Sequence, residues 1–184
     1  MSPQGCLEYE AYETFSNLCS VGCRNYNKKW SCPPFSPSFH DFSFGWEKLF
    51  VLYMRIDTKQ FSYIKNDYLK IKAANSILKS RADKFLRFMA ALHGIFISTG
   101  SCRLCKPCKC SMNLPCARPK AMTYSFESLG VNVSALVDLC FSKPLLWYKQ
   151  KHLPEYTSVV CGLLTNNLIS SEVLCGEYLK HITH

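Results

Sequence analysis

The sequence has no long apolar run and no typical secretory leader. Its nearest candidate for a membrane span, FLRFMAALHGIFISTG, is interrupted by Arg87, His93 and Gly94, and a bilayer requires about 20 largely apolar residues. The opening residues MSPQGCLEYEAYETF contain three glutamates, whereas a leader begins with a basic segment followed by an apolar one. We therefore expect a cytoplasmic protein that does not contact a membrane.

The sequence also lacks the motifs of several large enzyme classes. It contains no G-x-G-x-x-G loop, no other glycine-rich phosphate loop and no persuasive Ser/His/Asp combination. Its five histidines have no metal-ligand spacing. No catalytic residue and no reaction can be assigned from these patterns.

Acidic residues are scarce, with 13 Asp and Glu against 22 Lys and Arg, so the formal net charge is +9. A basic protein is a candidate for binding nucleic acid. Here one series of basic residues runs along 59–87, where it would form the solvated face of a helix, and others lie beside cysteines. Cations next to cysteines offset the negative charge of metal–thiolate centres. We therefore expect no nucleic-acid partner.

The remaining composition is that of a globular protein with a substantial core. Hydrophobic residues make up 48% of the 184 residues, so we predict a single domain over 1–184 that does not need metal or disulfides merely to fold. Twelve cysteines then need another explanation. In a reducing compartment, clustered cysteines more often bind metal or perform redox chemistry than form disulfides. A disulfide scaffold is the lesser alternative.

Periodicity along the chain predicts an α/β fold with a βαβ-like core. KLFVLYMRI (48–56) and 94–100 are typical of buried strands, and 63–92 between them has apolar residues at helical spacing. A strand, a long helix and a strand form a βαβ-like unit. The predicted apolar helix face consists of Ile71, Ala74, Ile77, Leu78, Ala82, Phe85, Phe88, Met89 and Leu92.

Outside this unit the pattern is less regular. Residues 19–46 predict an ordered loop region rich in proline and aromatic residues. Residues 125–141 predict one or two short helices, with Ser134 as a cap, and 156–165 predicts another core strand.

Residues 100–119, GSCRLCKPCKCSMNLPCARP, concentrate five cysteines in a short basic loop. Four of them have the spacing C-x2-C-x2-C-x7-C, with three close cysteines followed by a distant one. This spacing is typical of loops that wrap a [4Fe-4S] cluster, because short spacers let successive thiolates reach neighbouring corners. We predict that the cluster ligands of this loop are Cys102, Cys105, Cys108 and Cys116.

Zinc is the main alternative at this loop. Four-cysteine zinc sites normally use two C-x2-C pairs separated by a longer spacer, and the spacer after Cys105 is too short for two separate pairs. The same four cysteines could nevertheless surround one ion. Cys110 is surplus, and it could be an alternative ligand, a ligand to the other centre or a free thiol.

Three further cysteines, Cys19, Cys23 and Cys32, have the spacing C-x3-C-x8-C. Three thiolates leave one iron of a cubane cluster without a protein ligand, and such an iron can bind a substrate, sulfide or another small ligand. Tyr26 and Trp30 could shield this site from water. Nearby cations could hold an anionic ligand, namely Arg24, Lys28 and Lys29.

Two alternatives stay open for these three cysteines. Cys6 or Cys110 could supply a fourth ligand, which would close the site, or the three could be buried structural thiols. The other cysteines lie in apolar segments and are predicted to be core thiols, namely Cys140, Cys161 and Cys175.

The segments GCRNYNKKWSCPPFSP, GSCRLC…C…PCARP and SFESLGVNV together resemble an uncharacterised prokaryotic family of predicted metal-binding proteins. The resemblance covers most of the chain and implies cysteine-bound metal, but it implies no reaction. The residues that it supports are Cys19, Cys23 and Cys32 in one motif and Cys102, Cys105, Cys108 and Cys116 in the other. The chain departs from the family pattern at Cys110 and Ala117.

These observations predict an iron–sulfur protein with one or two [4Fe-4S] clusters. It would transfer electrons or carry out small-molecule or sulfur chemistry at an incompletely ligated cluster, and its partner would be a redox protein or a small ligand. The alternative is a zinc-binding interaction module without catalytic activity.

Overall fold

A three-stranded sheet forms the centre of the computed structural model, which describes residues 1–149 and 152–182. Its strands have the spatial order β1-β3-β2, and β3 is antiparallel to both neighbours. In the register, Leu52 lies opposite Cys161 and Phe96 lies opposite Leu163. The strands are β1 (Lys48–Asp57), β2 (Gly94–Ile97) and β3 (Tyr156–Thr165).

The long helix α4 (Asp67–His93) connects β1 to β2. Since β1 and β2 are both antiparallel to β3, they run in the same direction and form the predicted βαβ-like unit with β3 inserted between its strands. The predicted α/β class is confirmed. The insertion of β3 could not be read locally, because β3 follows β2 by about 60 residues of chain.

Helix α4 begins at a side-chain cap and buries one apolar face. The carboxamide oxygen of Asn66 accepts a hydrogen bond from the Leu69 amide at 3.1 Å, which satisfies one of the free N–H groups of the first turn. Six of the nine predicted face residues are buried, whereas Ile77, Phe88 and Leu92 are exposed. Leu86 takes part in the buried face instead. The buried face of α4 is therefore narrower than the apolar face that the sequence predicts.

Helices cover both faces of the sheet. On one face, Leu78 of α4 and Leu174 of the last helix pack in a cluster with Val159 and Leu163 of β3. On the other face, Leu164 of β3 packs with residues of the short helices. β3 is thus buried on both sides, which explains its nearly continuous apolar sequence. The remaining helices are α1 (Gln4–Leu7), α2 (Tyr12–Gly22), α3 (Phe39–Ser43), α5 (Val133–Phe141) and α6 (Ser171–Ile182).

The N-terminal segment is attached to the turn that precedes α5. The Ala11 amide donates to the Gly130 carbonyl at 2.8 Å, and the Asn132 amide donates to the Tyr9 carbonyl at 2.8 Å. Gly130 has φ +82°, and a Cβ built there would lie 2.5 Å from the Cα of Tyr12. Glycine is required at this position, because it permits both the left-handed backbone and the close approach of α2.

Several local expectations are corrected. The cap of α5 is Asn132, whose side-chain oxygen accepts from the Ala135 amide at 3.1 Å, so Ser134 lies inside the helix. Cys161 is buried as predicted, but Cys140 of α5 and Cys175 of α6 are exposed. The region 19–46 is not all loop, since α2 extends into it and α3 lies within it. In the described ranges, no helix is both long and apolar enough to cross a bilayer.

Candidate metal centre

The first two cysteines of the N-terminal group lie at the end of α2. Cys19 is in the last turn of the helix and Cys23 is the residue that caps it, with its amide donating to the Cys19 carbonyl at 3.0 Å. Residues four apart on a helix share a face. The end of α2 therefore presents both thiols on one side.

A series of turns returns the chain to these two thiols. The Tyr26 amide donates to the Cys23 carbonyl at 3.0 Å, and the Cys32 amide donates to the Lys29 carbonyl at 3.1 Å. Asn27, with φ 53°, allows the reversal, since asparagine tolerates the left-handed conformation better than most residues. The turns place Cys32 beside Cys19 and Cys23.

These three cysteines line one pocket of about 190 Å³, which we call the three-cysteine pocket. Tyr26 and Pro33 form part of its wall, whereas Trp30 packs on Phe35 with ring centroids 4.6 Å apart. Tyr26 is placed as the sequence suggested, and Trp30 is not. The other lining residues are Asn25, Gly100, Ser101, Ser125, Glu127 and Ser128.

Burial and mutual repulsion raise the pKa of thiols in this pocket. Burial raises the pKa of Cys32 to about 11, partly opposed by a contact between its sulfur and the Ser31 hydroxyl at 4.0 Å. Burial, and then the neighbouring Cys23, raise the pKa of Cys19. Gathering several thiolates in one pocket is unfavourable unless positive charge compensates them. A bound metal provides that charge and deprotonates its thiol ligands.

The second cysteine loop contains Cys102, Cys105, Cys108 and Cys116, and its two ends lie next to each other. The Ser98 amide donates to the Tyr124 carbonyl at 2.7 Å, and Ser98 pairs with Ser125 in a parallel bridge. Residues 99–124 are therefore a loop closed at its base, directly after β2. This base lies beside the three-cysteine pocket, because Ser125 belongs to both.

Within that loop, the four predicted ligands are all half-buried. Burial raises the pKa of the Tyr124 hydroxyl, and the charges of Cys116 and Cys102 raise it further, so both cysteines lie near that hydroxyl. In the described parts of the chain, 1–149 and 152–182, no three His, Cys, Asp or Glu side chains are arranged to hold a metal ion. The four cysteines of this loop are therefore not gathered around a single ion.

Direct hydrogen bonds join the two cysteine regions. The Lys29 ammonium donates to the Ser101 hydroxyl and to the Cys102 carbonyl, each at 2.9 Å. The Cys102 amide donates to the Ser31 hydroxyl at 3.0 Å, and the Trp30 indole donates to the Leu114 carbonyl at 3.0 Å. The two cysteine groups are thus parts of one connected structure.

Two residues considered as a fourth ligand to the first group lie elsewhere. Cys6 is fully buried in the core beside Cys140, and burial raises its pKa to about 12. Cys110 is 3% exposed in the 3-10 turn Lys109–Met112. No cysteine of the described chain other than Cys19, Cys23 and Cys32 lines the three-cysteine pocket. All twelve cysteines lie in the described ranges, where each is a free thiol and no two are joined by a disulfide.

The cations near the first group also differ from expectation. Arg24 and Lys28 are exposed and do not line the pocket, and the Lys29 ammonium is directed to the second loop. Sequence reasoning missed Ser31, which is 1% exposed and accepts a hydrogen bond from Cys102. It also missed Glu127 as a pocket residue, although Glu127 lies in the SFESLG segment that contributes to the family resemblance.

A family model described as "Predicted metal-binding protein (DUF2284)" matches residues 7–164. The chain belongs to this family. The match spans both cysteine groups, whereas Cys6 and Cys175 lie outside it. No curated protein and no solved structure matches the chain. Membership in DUF2284 agrees with the resemblance inferred from the motifs, and the prokaryotic origin stays a prediction.

Proposed function

We propose that this DUF2284 protein is an iron–sulfur protein in which Cys19, Cys23 and Cys32 hold a [4Fe-4S] cluster. The observation that carries the proposal is the pocket of about 190 Å³ around which these three thiols converge. Cys32 is buried, Cys19 is half-buried and Cys23 is exposed, so the three thiols do not form a packed group of core side chains. Burial is the main cause of the raised pKa values of Cys19 and Cys32, and the charge of Lys29 only partly opposes it at Cys32.

The number of thiols favours a cluster over one ion. Structural zinc sites use four protein ligands around one metal. Three cysteines line the three-cysteine pocket, which is one fewer than such a site uses. A polynuclear cluster bonds each thiolate at a different iron and therefore needs thiols that surround a larger volume.

We propose that Cys102, Cys105, Cys108 and Cys116 hold a second [4Fe-4S] cluster. Their spacing is the support, together with the exposed cations along the loop. A four-thiolate cluster carries net negative charge, and such cations stabilise its reduced form. The loop cations are Arg103, Lys106, Lys109, Arg118 and Lys120.

With three cysteines and no fourth among the lining residues of the described chain, the first cluster would have an iron open to an external ligand. A bound cluster supplies electron transfer or Lewis-acid chemistry at that iron. The chain's own contribution is to exclude water with Tyr26 and Pro33 and to offer the polar groups of Ser128 and Glu127 on the pocket wall. We propose small-molecule or sulfur chemistry, or an electron relay to a redox partner, in the cytoplasm.

The positive charge is proposed to serve the clusters and small anions. Two bound clusters would lower the net charge to roughly +6, from +9 for the chain. Binding to DNA or RNA at physiological salt, with a steep salt dependence, would contradict this.

The deciding experiment is to count iron and acid-labile sulfide per chain after anoxic purification. We expect about eight of each for two clusters, and a brown protein with visible charge-transfer absorption. Cys32→Ser should lower both counts by about one cluster, while Cys175→Ser, a matched change at an exposed thiol, should leave them unchanged. A colourless protein with stoichiometric zinc would overturn the iron–sulfur proposal in favour of a zinc module.

A further inference from the structure

A second pocket, of about 250 Å³, lies between α4 and the start of the second cysteine loop, and we call it the basic pocket. On one side Lys79 of α4 contributes to its wall, and on the other side Arg103 does. Cys102 lines its edge, and so do several hydroxyl-bearing residues. These are Ser76, Ser80, Ser98, Thr99, Ser101 and Thr123.

Three cations line this pocket, and two of them, Lys79 and Arg103, lie near each other and lack an ion pair. Burial is the main cause that lowers the pKa of the Lys79 ammonium, and the charge of Arg103 lowers it further, while the Glu127 carboxylate, which does not line this pocket, partly opposes both. Among residues 1–149 and 152–182, neither cation has an ion-pair partner. Two like charges held together are destabilising unless an anion lies between them.

The only carboxylate of the described residues that lines this pocket is already neutralised. Asp83 forms an ion pair with Arg87, with the Arg87 Nε 2.9 Å from the carboxylate oxygen. Both residues lie on α4, four positions apart, which is the spacing at which helix side chains meet. The lining of the pocket therefore keeps the positive charge of Lys79 and Arg103.

We propose that the basic pocket binds a tetrahedral oxyanion, of the phosphate or sulfate type, between Lys79 and Arg103. An ammonium and a guanidinium are the side chains that recognise such anions, the guanidinium with two parallel donors. Serine and threonine hydroxyls add neutral donors around the same space. This site adjoins the three-cysteine pocket, since Gly100 and Ser101 line both, but Lys79 and Arg103 lie outside that pocket, and the site goes beyond the proposed cluster function.

The volume of the basic pocket is relevant to whether the anion is free or is part of a larger molecule. About 250 Å³ is many times the space that one water needs, so the pocket has room for an anion with part of an attached organic group. The anion could thus be free in solution or be the charged end of a metabolite. Because the pocket borders Cys102, an occupant would lie beside the proposed second cluster.

The test is calorimetric titration of inorganic phosphate into the protein as purified, at constant ionic strength set with chloride. We expect saturable binding that Lys79→Gln weakens at least tenfold. Arg103→Gln should weaken it similarly. Because Arg103 is exposed, that variant tests the site even if Lys79→Gln fails to fold. Lys84→Gln makes the same charge change on the exposed side of α4 and should leave the affinity within twofold.

Absence of saturable phosphate binding, or equal weakening by Lys84→Gln, would overturn the proposal. A parallel titration with a phosphate monoester separates the two sources: tighter binding than inorganic phosphate identifies an organic phosphate, and weaker binding identifies the free anion. The iron content of the same samples tests the cluster proposal separately from the anion-site proposal. Phosphate binding without iron refutes only the clusters, and iron without phosphate binding refutes only this site.

Discussion

The Lys29 ammonium donates a hydrogen bond to the carbonyl oxygen of Cys102 at 2.9 Å, across 73 positions of sequence. The same ammonium reaches the Ser101 hydroxyl, also at 2.9 Å. Hydrogen bonds from a charged donor are stronger than neutral ones. This half-buried lysine therefore connects the two cysteine regions and holds the start of one loop against the other.

Replacing Lys29 by Gln should loosen this connection. Loss of a charged hydrogen bond costs about 1.5–3 kcal/mol, so we expect the free energy of unfolding to fall by about that amount. Urea unfolding followed by circular dichroism would measure the change. The dependence of the unfolding free energy on urea concentration should stay the same. Lys28→Gln is the matched control, because Lys28 is exposed and makes no side-chain hydrogen bond to a described residue. Equal effects of the two changes would refute the role of Lys29.

Gly130→Ala should displace α2 from the turn before α5. An added Cβ would lie 2.5 Å from the Cα of Tyr12, and φ of +82° disfavours alanine. Strain of this kind costs about 1–3 kcal/mol. Because α2 contains Cys19 and ends at its cap Cys23, iron content should fall together with stability. Thermal unfolding and iron analysis of the same sample provide the measurement.

Gly176→Ala is the control for this change. Gly176 lies inside α6, and apart from its own helix backbone and chain neighbours no atom of the described residues lies within 4 Å of a Cβ built there. Alanine in a helix is more stable than glycine by about 0.5–1 kcal/mol, so this variant should be slightly more stable with unchanged iron. A destabilised Gly176→Ala, or a neutral Gly130→Ala, would contradict the packing described here.

Cys110 and Cys105 should respond differently to replacement by alanine. Cys110 is buried in a short turn and is surplus to the spacing of the four predicted ligands, so Cys110→Ala should leave iron per chain nearly unchanged. Cys105→Ala removes a proposed ligand and should lower the iron count by about one cluster. Equal losses would make Cys110 a ligand and reject the C-x2-C-x2-C-x7-C assignment.

Alkaline pH should destabilise the protein through Cys161. Burial raises the pKa of this thiol from 9.0 to about 12. Between these values the unfolded chain loses a proton that the folded chain keeps, so the free energy of unfolding decreases as pH rises from about 9 to about 12. Each such group contributes a slope of up to about 1.4 kcal/mol per pH unit.

Urea unfolding at several pH values in this window would test the prediction. As pH rises, the free energy of unfolding of Cys161→Ala should decrease less steeply than that of the wild type, by about 1 kcal/mol per pH unit. The variant should keep the remaining slope due to Cys6, whose pKa burial also raises to about 12. Parallel curves for wild type and variant would show that Cys161 does not remain protonated in the folded state.

The sequence by itself determined the helices and strands whose formation depends on residues close to one another in the chain. The strand predicted over 156–165 coincides with β3, and the helix predicted over 63–92 corresponds to α4, because apolar periodicity and capping act within a few turns. Cysteine spacing likewise identified the two groups, and the family match agrees with metal binding. These inferences needed no knowledge of which segments meet.

Tertiary structure alone decided which distant groups come together. It placed β3 between β1 and β2, directed Lys29 to Cys102 and left Arg24 exposed. It also brought Lys79 of α4 beside Arg103 of the second loop. Such contacts arise from the burial of apolar faces shared by remote segments. The pattern of neighbouring residues in the sequence contains no information about these contacts, so the pockets can be identified only in the folded chain.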